Sequence, residues 1–256
     1  MISLRFLKNH LNFQNLSVFV FVTLLAARFL FLDFGLPYVQ QADEIELVEY
    51  PLNYAVNIKK VLNFDYEYFK PFSFVYGTLP TYLNTLLLIP FLKITSLFEL
   101  SQDRYYIYLY LRIIYAIFSI ISCFGVYLVA KEITKDKTIS LLSGILFSLN
   151  FYFLWLSKYL NNDILIVLFT IYFIYFYLKF SETINIKFLY YSMLFVGFGI
   201  STKVTFVVIL LFPIFDLMIK KRIKELITSG IIIFLVYLIT NPYTFIYPLE
   251  FVNRVL

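Results

Sequence analysis

Apolar residues arrive in blocks along this chain, with polar residues gathered between them. Seven blocks read as helices: roughly 14–34, 107–130, 138–155, a run from Asp163 to about 178, 186–201, 204–219 and 226–240. Their lengths approach or reach the ~20 residues that cross a bilayer as helix. They lack the alternation of short apolar-out, polar-in segments that marks a membrane barrel. The pattern predicts an all-α, polytopic membrane protein with about seven transmembrane helices in a single membrane domain.

Between the first and second blocks lies a long polar stretch, 36–106. Within it, residues 43–62 show helical apolar spacing with acids between, at Ile45, Leu47, Val48, Tyr54 and Val56. Residues 79–98 are apolar but carry Pro80, Pro90 and Lys93, so they read as an interfacial or re-entrant helix and not a span. The first block follows Arg5 and Lys8, as a secretory signal would. It is too long and has no small-residue cleavage site at its far end, so it reads as an uncleaved first helix.

Composition strengthens this picture. The chain is 61% hydrophobic and 14% charged, with mean hydropathy +0.83. A soluble domain would need far more charge to cover its surface. The net charge of +5 is explained by topology, with no nucleic-acid partner implied. With the N-terminus placed inside, the inner stretches hold eleven Lys and Arg and the short outer ones three, as the positive-inside rule requires. The 36–106 loop then lies outside, and it holds eight of the chain's sixteen acids. The expected location is the plasma membrane of a prokaryote, multi-pass, with a cytoplasmic N-terminus. Single Cys123 and single His10 exclude an intrachain disulfide and a His/Cys zinc site.

Charges at membrane depth are costly and tend to face an interior or a water-filled cavity. Arg28, Arg112, Asp163 and Lys203 have that position; Arg28 has no evident partner. Arg112, Asp163 and Lys203 fall near the outer ends of their helices, as does Asp43-Glu44 at the start of the acidic loop. Each also has a local reading. Asp43 and Glu44 could open a helix, Asp163 could cap one, and Arg112 and Lys203 could snorkel to the interface. Asp216 four residues before Lys220 reads as a local helix pair.

In order along the chain stand Leu36-Pro37, Asp43-Glu44, the stretch Tyr76 to Tyr82 around Gly77, Thr78 and Pro80, Tyr110 to Arg112, Ser157-Lys158 with Asp163, Gly199 to Lys203, and Asn241-Pro242 with Phe251. That order resembles membrane glycosyltransferases of the GT-C class, in the branch of protein O-mannosyltransferases and lipid A aminoarabinose transferases. The Tyr76–Tyr82 stretch lacks the branch's usual His. Members have eleven or more spans, so the resemblance covers their N-terminal portion, and the C-terminal part of the pattern is missing.

The resemblance implies an inverting transfer of sugar from a polyprenyl-phosphate donor to an acceptor hydroxyl on the extracytoplasmic face. The acceptor would be a protein, lipid or glycan. It implies Asp43 as catalytic base with Glu44 beside it, Arg112 and Lys203 against the donor phosphate, Lys158 as a third cation, and Asp163 holding a cation or a sugar hydroxyl. No cofactor and no essential metal are implied. Two other readings stay open: a transporter or flippase, and a truncated, non-catalytic family member.

Overall fold

The structure, a computed structural model, describes residues 13–38, 41–62, 66–71, 77–98 and 103–255. Arg5, Lys8, His10 and Tyr76 lie outside those residues. Among the described residues the secondary structure is helical throughout.

Helix α1 (Phe13–Ala26) passes into a 3-10 turn, Ala27–Phe29. It stops short of the expected end near 34, and at its end Arg28 turns inward. Its Nη1 donates to Ser157 Oγ at 3.2 Å, and its Nη2 donates to Cys123 Sγ at 3.0 Å and to the Ser148 carbonyl at 3.4 Å. The guanidinium lies 5.0 Å from the Phe153 ring centroid. The backbone then turns through left-handed conformations at Phe31 (φ 60°) and Gly35 (φ 81°).

The acidic loop holds α2 (Ala42–Val56) and a single further turn, Lys59–Leu62. It also holds α3 (Leu79–Leu97), which stays continuous through Pro90. The expected 43–62 helix is thus split at Asn57. α3 packs on α2, and Asn84 Nδ2 donates to the Leu47 carbonyl at 2.8 Å.

The bundle follows: α4 (Arg104–Thr134), α5 (Lys137–Ser148), α6 (Phe151–Leu156), α7 (Asn162–Thr183), α8 (Ile186–Thr202), α9 (Leu211–Ile219) after a 3-10 stretch Val204–Leu210, and α10 (Ile223–Thr240). Short helices α11 (Pro242–Ile246) and α12 (Pro248–Val255) follow. Among the described residues three helices are long and apolar enough to span a membrane: α4, α7 and α10. The other four expected blocks appear as shorter apolar helices, Asn15–Phe29, Lys137–Ser148, Ile186–Thr202 and Val204–Ile219. Side-chain caps start several of them. Asp136 accepts from the Thr138 and Ile139 amides, and Asn161 accepts from the Asp163 amide.

α7 packs between α4 and α8, and α8 packs on α10. Leu111, Tyr115, Leu160, Ile164 and Leu165 fill the core where the acidic loop meets the bundle. The two ends of the bundle differ in charge. At one, Lys135 bridges Glu132 and Glu182, both at 2.9 Å, and Asp216 meets Lys220 at 2.9 Å as expected. The other carries α2, the start of α7 and Lys203.

Candidate functional site

Asp43 and Glu44 are neighbours on the first turn of α2, and the helix sends them to different places. Glu44 is fully buried. Its carboxylate accepts both ends of the Arg112 guanidinium fork, Nε and Nη2, each at 2.8 Å. It also accepts the Leu160 amide at 2.9 Å. Arg112 Nη1 donates to the carbonyls of Leu32 at 2.7 Å and Phe34 at 2.8 Å. Its guanidinium lies 5.1 Å from the Tyr159 ring centroid. Buried and bound on all three nitrogens, Arg112 neither snorkels nor points at a free site. It clamps the turn after α1, the start of α2 and the start of α7 to α4. Such bidentate, charge-assisted bonds fix geometry as well as charge.

Asp43 is half-buried. Burial raises its pKa above the ordinary carboxylate value. Asp163 raises it further and Lys203 opposes that. Lys203 Nζ reaches Asp163 Oδ1 at 3.4 Å, and both side chains are 39% exposed. Asn161 takes the cap at the start of α7, which leaves the Asp163 carboxylate to meet Lys203. Three of the expected residues, Asp43, Asp163 and Lys203, are therefore brought within electrostatic reach of one another from α2, α7 and the end of α8.

Lys158 is placed elsewhere. Its Nζ donates to the carbonyls of Ala27 at 2.9 Å, Arg28 at 3.0 Å and Leu30 at 2.6 Å. It satisfies the open carbonyls that end the first helix. Burial and the nearby Arg28 charge lower its pKa.

A small cavity of about 20 Å³ opens nearby, lined by Glu46, Tyr50, Tyr54, Thr78, Thr81 and Asn162 among others. Glu46, one turn on from Asp43, also has a raised pKa, from burial first and then from Asp43. Sequence reasoning passed over Glu46 and Asn162. The three-residue spacing of Asp43 and Glu46 along one helical face was the available signal.

The cavity wall is held by a joint between three motifs. Gly77 N donates to the Thr202 carbonyl at 3.0 Å. A Cβ on Gly77 would lie 1.8 Å from the Ser201 carbonyl oxygen, so the close approach requires glycine. Thr78 donates its amide to Asn241 Oδ1 at 2.7 Å and its hydroxyl to the Thr240 carbonyl. Thr240 Oγ1 donates to Ser201 Oγ at 2.6 Å. The acidic loop is thus stitched to the ends of α8 and α10, next to Lys203.

A helical membrane bundle with two carboxylates and a lysine grouped at one end has the makings of a GT-C-type glycosyltransferase. The family comparison agrees: the profile described as dolichyl-phosphate-mannose-protein mannosyltransferase matches residues 106–244, and the chain belongs to that family. The match takes in Arg112, Lys158, Asp163, Lys203 and Asn241 but not the acidic loop. Neither curated proteins nor solved structures yield a match.

Proposed function

We infer that this chain transfers a sugar from a polyprenyl-phosphate donor to an acceptor hydroxyl of a protein, lipid or glycan, inverting the anomeric centre, on the extracytoplasmic face. The supporting observation is the grouping of Asp43, Asp163 and Lys203 at the bundle end opposite the lysine-rich one. The positive-inside rule puts the lysine-rich end, and the N-terminus with it, in the cytoplasm of a prokaryote.

Asp43 is the base. Its raised pKa makes it a better proton acceptor than a free carboxylate. As the acceptor oxygen bonds the anomeric carbon, its proton passes to Asp43. The carbon–oxygen bond to phosphate breaks, and polyprenyl phosphate leaves with the electron pair. Lys203 faces the growing phosphate charge, and Asp163 positions it. Arg112 and Glu44 act as positioning residues through their clamp, and Lys158 acts through the end of the first helix; none of the three touches the donor.

The test is transfer from polyprenyl-phosphate-mannose and related donors by the purified chain in proteoliposomes. Wild-type turnover that Asp43→Asn abolishes while donor binding survives supports the reading. A folded wild-type protein that binds no polyprenyl-phosphate sugar ends it.

A further inference from the structure

Toward the lysine-rich end of the bundle, a cavity of about 120 Å³ lies between α8, α9 and α10. Met193, Leu217, Leu226 and Ile233 give it an apolar wall. Among the described residues, Ser229 is the only polar side chain on that wall. It is 4% exposed, and its hydroxyl has no hydrogen-bond partner. Buried polar atoms are almost always paired. A lone hydroxyl does not hold a water, which needs two or more polar partners. Gly230, next to it, is exposed and has open space where a side chain would begin, so the cavity reaches the surface of the bundle there. Its size is close to that of an apolar cavity that stays dry and takes a benzene ring, about 150 Å³. It holds a few methylene groups and no polar headgroup.

The turn between α9 and α10 follows Leu217 and precedes Leu226 on the cavity wall. Residues 220–225 hold four cations and one acid, Glu225. Lys220 is paired to Asp216, and the Arg222 guanidinium lies 5.1 Å from the Phe180 ring centroid. Lys221 and Lys224 are exposed and, among the described residues, have no carboxylate partner. The carbonyls that end α9 are taken, because Asp216, Met218 and Leu217 accept the amides of Lys220, Lys221 and Arg222. The amides that open α10 are not taken by any capping side chain. Open amides beside two unpaired lysines are the chemistry that receives a phosphate.

One class of molecule has both parts in this order. Along a glycerophospholipid, the phosphate is followed by ester carbonyls and then by hydrocarbon. Lys224 and Ser229 are five residues apart, about 7.5 Å along the helix axis. That equals the depth of one interfacial layer, about 5–8 Å between the headgroup surface and the hydrocarbon core. We propose that α8, α9 and α10 bind one anionic diacyl phospholipid from the leaflet at the lysine-rich end. The phosphate lies at the start of α10 by Lys221 and Lys224. An ester carbonyl accepts from Ser229 Oγ, and the first carbons of one acyl chain enter the cavity past Gly230. This site shares no residue with the transferase reading and does not rest on it.

The experiment is native mass spectrometry of the full chain released from detergent micelles. The probes are dioleoyl phosphatidylglycerol, dioleoyl phosphatidylcholine and inorganic phosphate. Wild type is expected to retain one phosphatidylglycerol, about tenfold or more tighter than phosphatidylcholine, because two surface cations favour the anionic lipid. Ser229→Ala should weaken phosphatidylglycerol about two- to tenfold, the worth of one hydrogen bond. It should leave the thermal stability of the lipid-free chain unchanged, since the hydroxyl bonds nothing in the protein. Gly230→Leu should block the cavity and abolish retention without lowering that stability. Lys221→Ala combined with Lys224→Ala should bring the two lipids to equal affinity. Equal retention of both lipids by wild type overturns the site, as does retention that Gly230→Leu leaves unchanged. A destabilised lipid-free Ser229→Ala chain would give the hydroxyl a partner inside the fold and overturn its role. Displacement of phosphatidylglycerol by inorganic phosphate would mark a plain anion site and overturn the lipid assignment. No arm reads sugar transfer, so each result leaves the transferase reading where it stands.

Discussion

Two ion pairs a short way apart in this molecule do opposite work. Glu44–Arg112 is dry, with side chains 0% and 1% exposed. Every nitrogen of the guanidinium is bound, and so are both carboxylate oxygens. Asp163–Lys203 is wet, with both side chains 39% exposed and a single 3.4 Å contact. A charge that is fully answered by its neighbours has nothing left for a ligand. A half-answered, half-exposed charge does. Adjacent residues Asp43 and Glu44 are divided by the same rule, and burial decides it.

The largest expected effect falls on chemistry at the wet side. Asp43→Asn should lower turnover by ~10²–10⁴, the usual worth of a positioned base. It should leave thermal stability unchanged or raised, because a carboxylate whose folded pKa is elevated disfavours the folded state above that pKa. Loss of folding with loss of turnover would merge the two sides and break the contrast.

Next comes the dry side. Removing one partner, by Arg112→Ala or Glu44→Ala, strands the other as a buried charge. The expected cost is ~3–5 kcal/mol of unfolding free energy, read by denaturation in micelles. A cost below ~1 kcal/mol would show the clamp to be as slack as a surface pair.

Lys203→Ala should cost ~0.2–1 kcal/mol in stability, as exposed pairs do, yet weaken donor binding measurably. Unchanged donor affinity would take Lys203 away from the phosphate.

The smallest effect is a shift in pH dependence. Activity should fall as pH drops through the folded pKa of Asp43, which lies above 3.8. Asp163→Asn removes a contribution that raises that pKa, so the acid limb should move down. Lys203→Ala removes one that lowers it, so the limb should move up. Shifts of the same sign in both variants would separate Asp43 from this cluster.

Much of this was legible in the chain beforehand. Seven apolar blocks told of seven apolar helices, three of them long enough to span a membrane among the described residues. The positions of Asp43, Arg112, Asp163 and Lys203 near helix ends predicted that they meet; Asp43, Asp163 and Lys203 lie within electrostatic reach of one another, and Arg112 is bound to Glu44 instead. The role of Arg112 was not legible. Whether an arginine near a helix end snorkels, binds substrate or clamps its own fold depends on what lies opposite. Its carbonyl partners, Leu32 and Phe34, become acceptors only because the first helix ends early. At that early end Arg28 meets Ser157, Cys123 and Ser148, which are 95 to 129 residues away. Asn162 was hidden for a different reason. Its neighbour Asn161 does the capping, and only three-dimensional packing reveals a side-chain oxygen with no donor.

Position 77 shows what such packing demands of heredity. With the Ser201 carbonyl oxygen 1.8 Å from where a methyl group would begin, the smallest possible codon change to alanine forces two motifs apart. The same change at Gly230, which has open space around it, meets nothing within 4 Å. Saturation mutagenesis under selection for activity should therefore return a single residue type at 77 and many at 230.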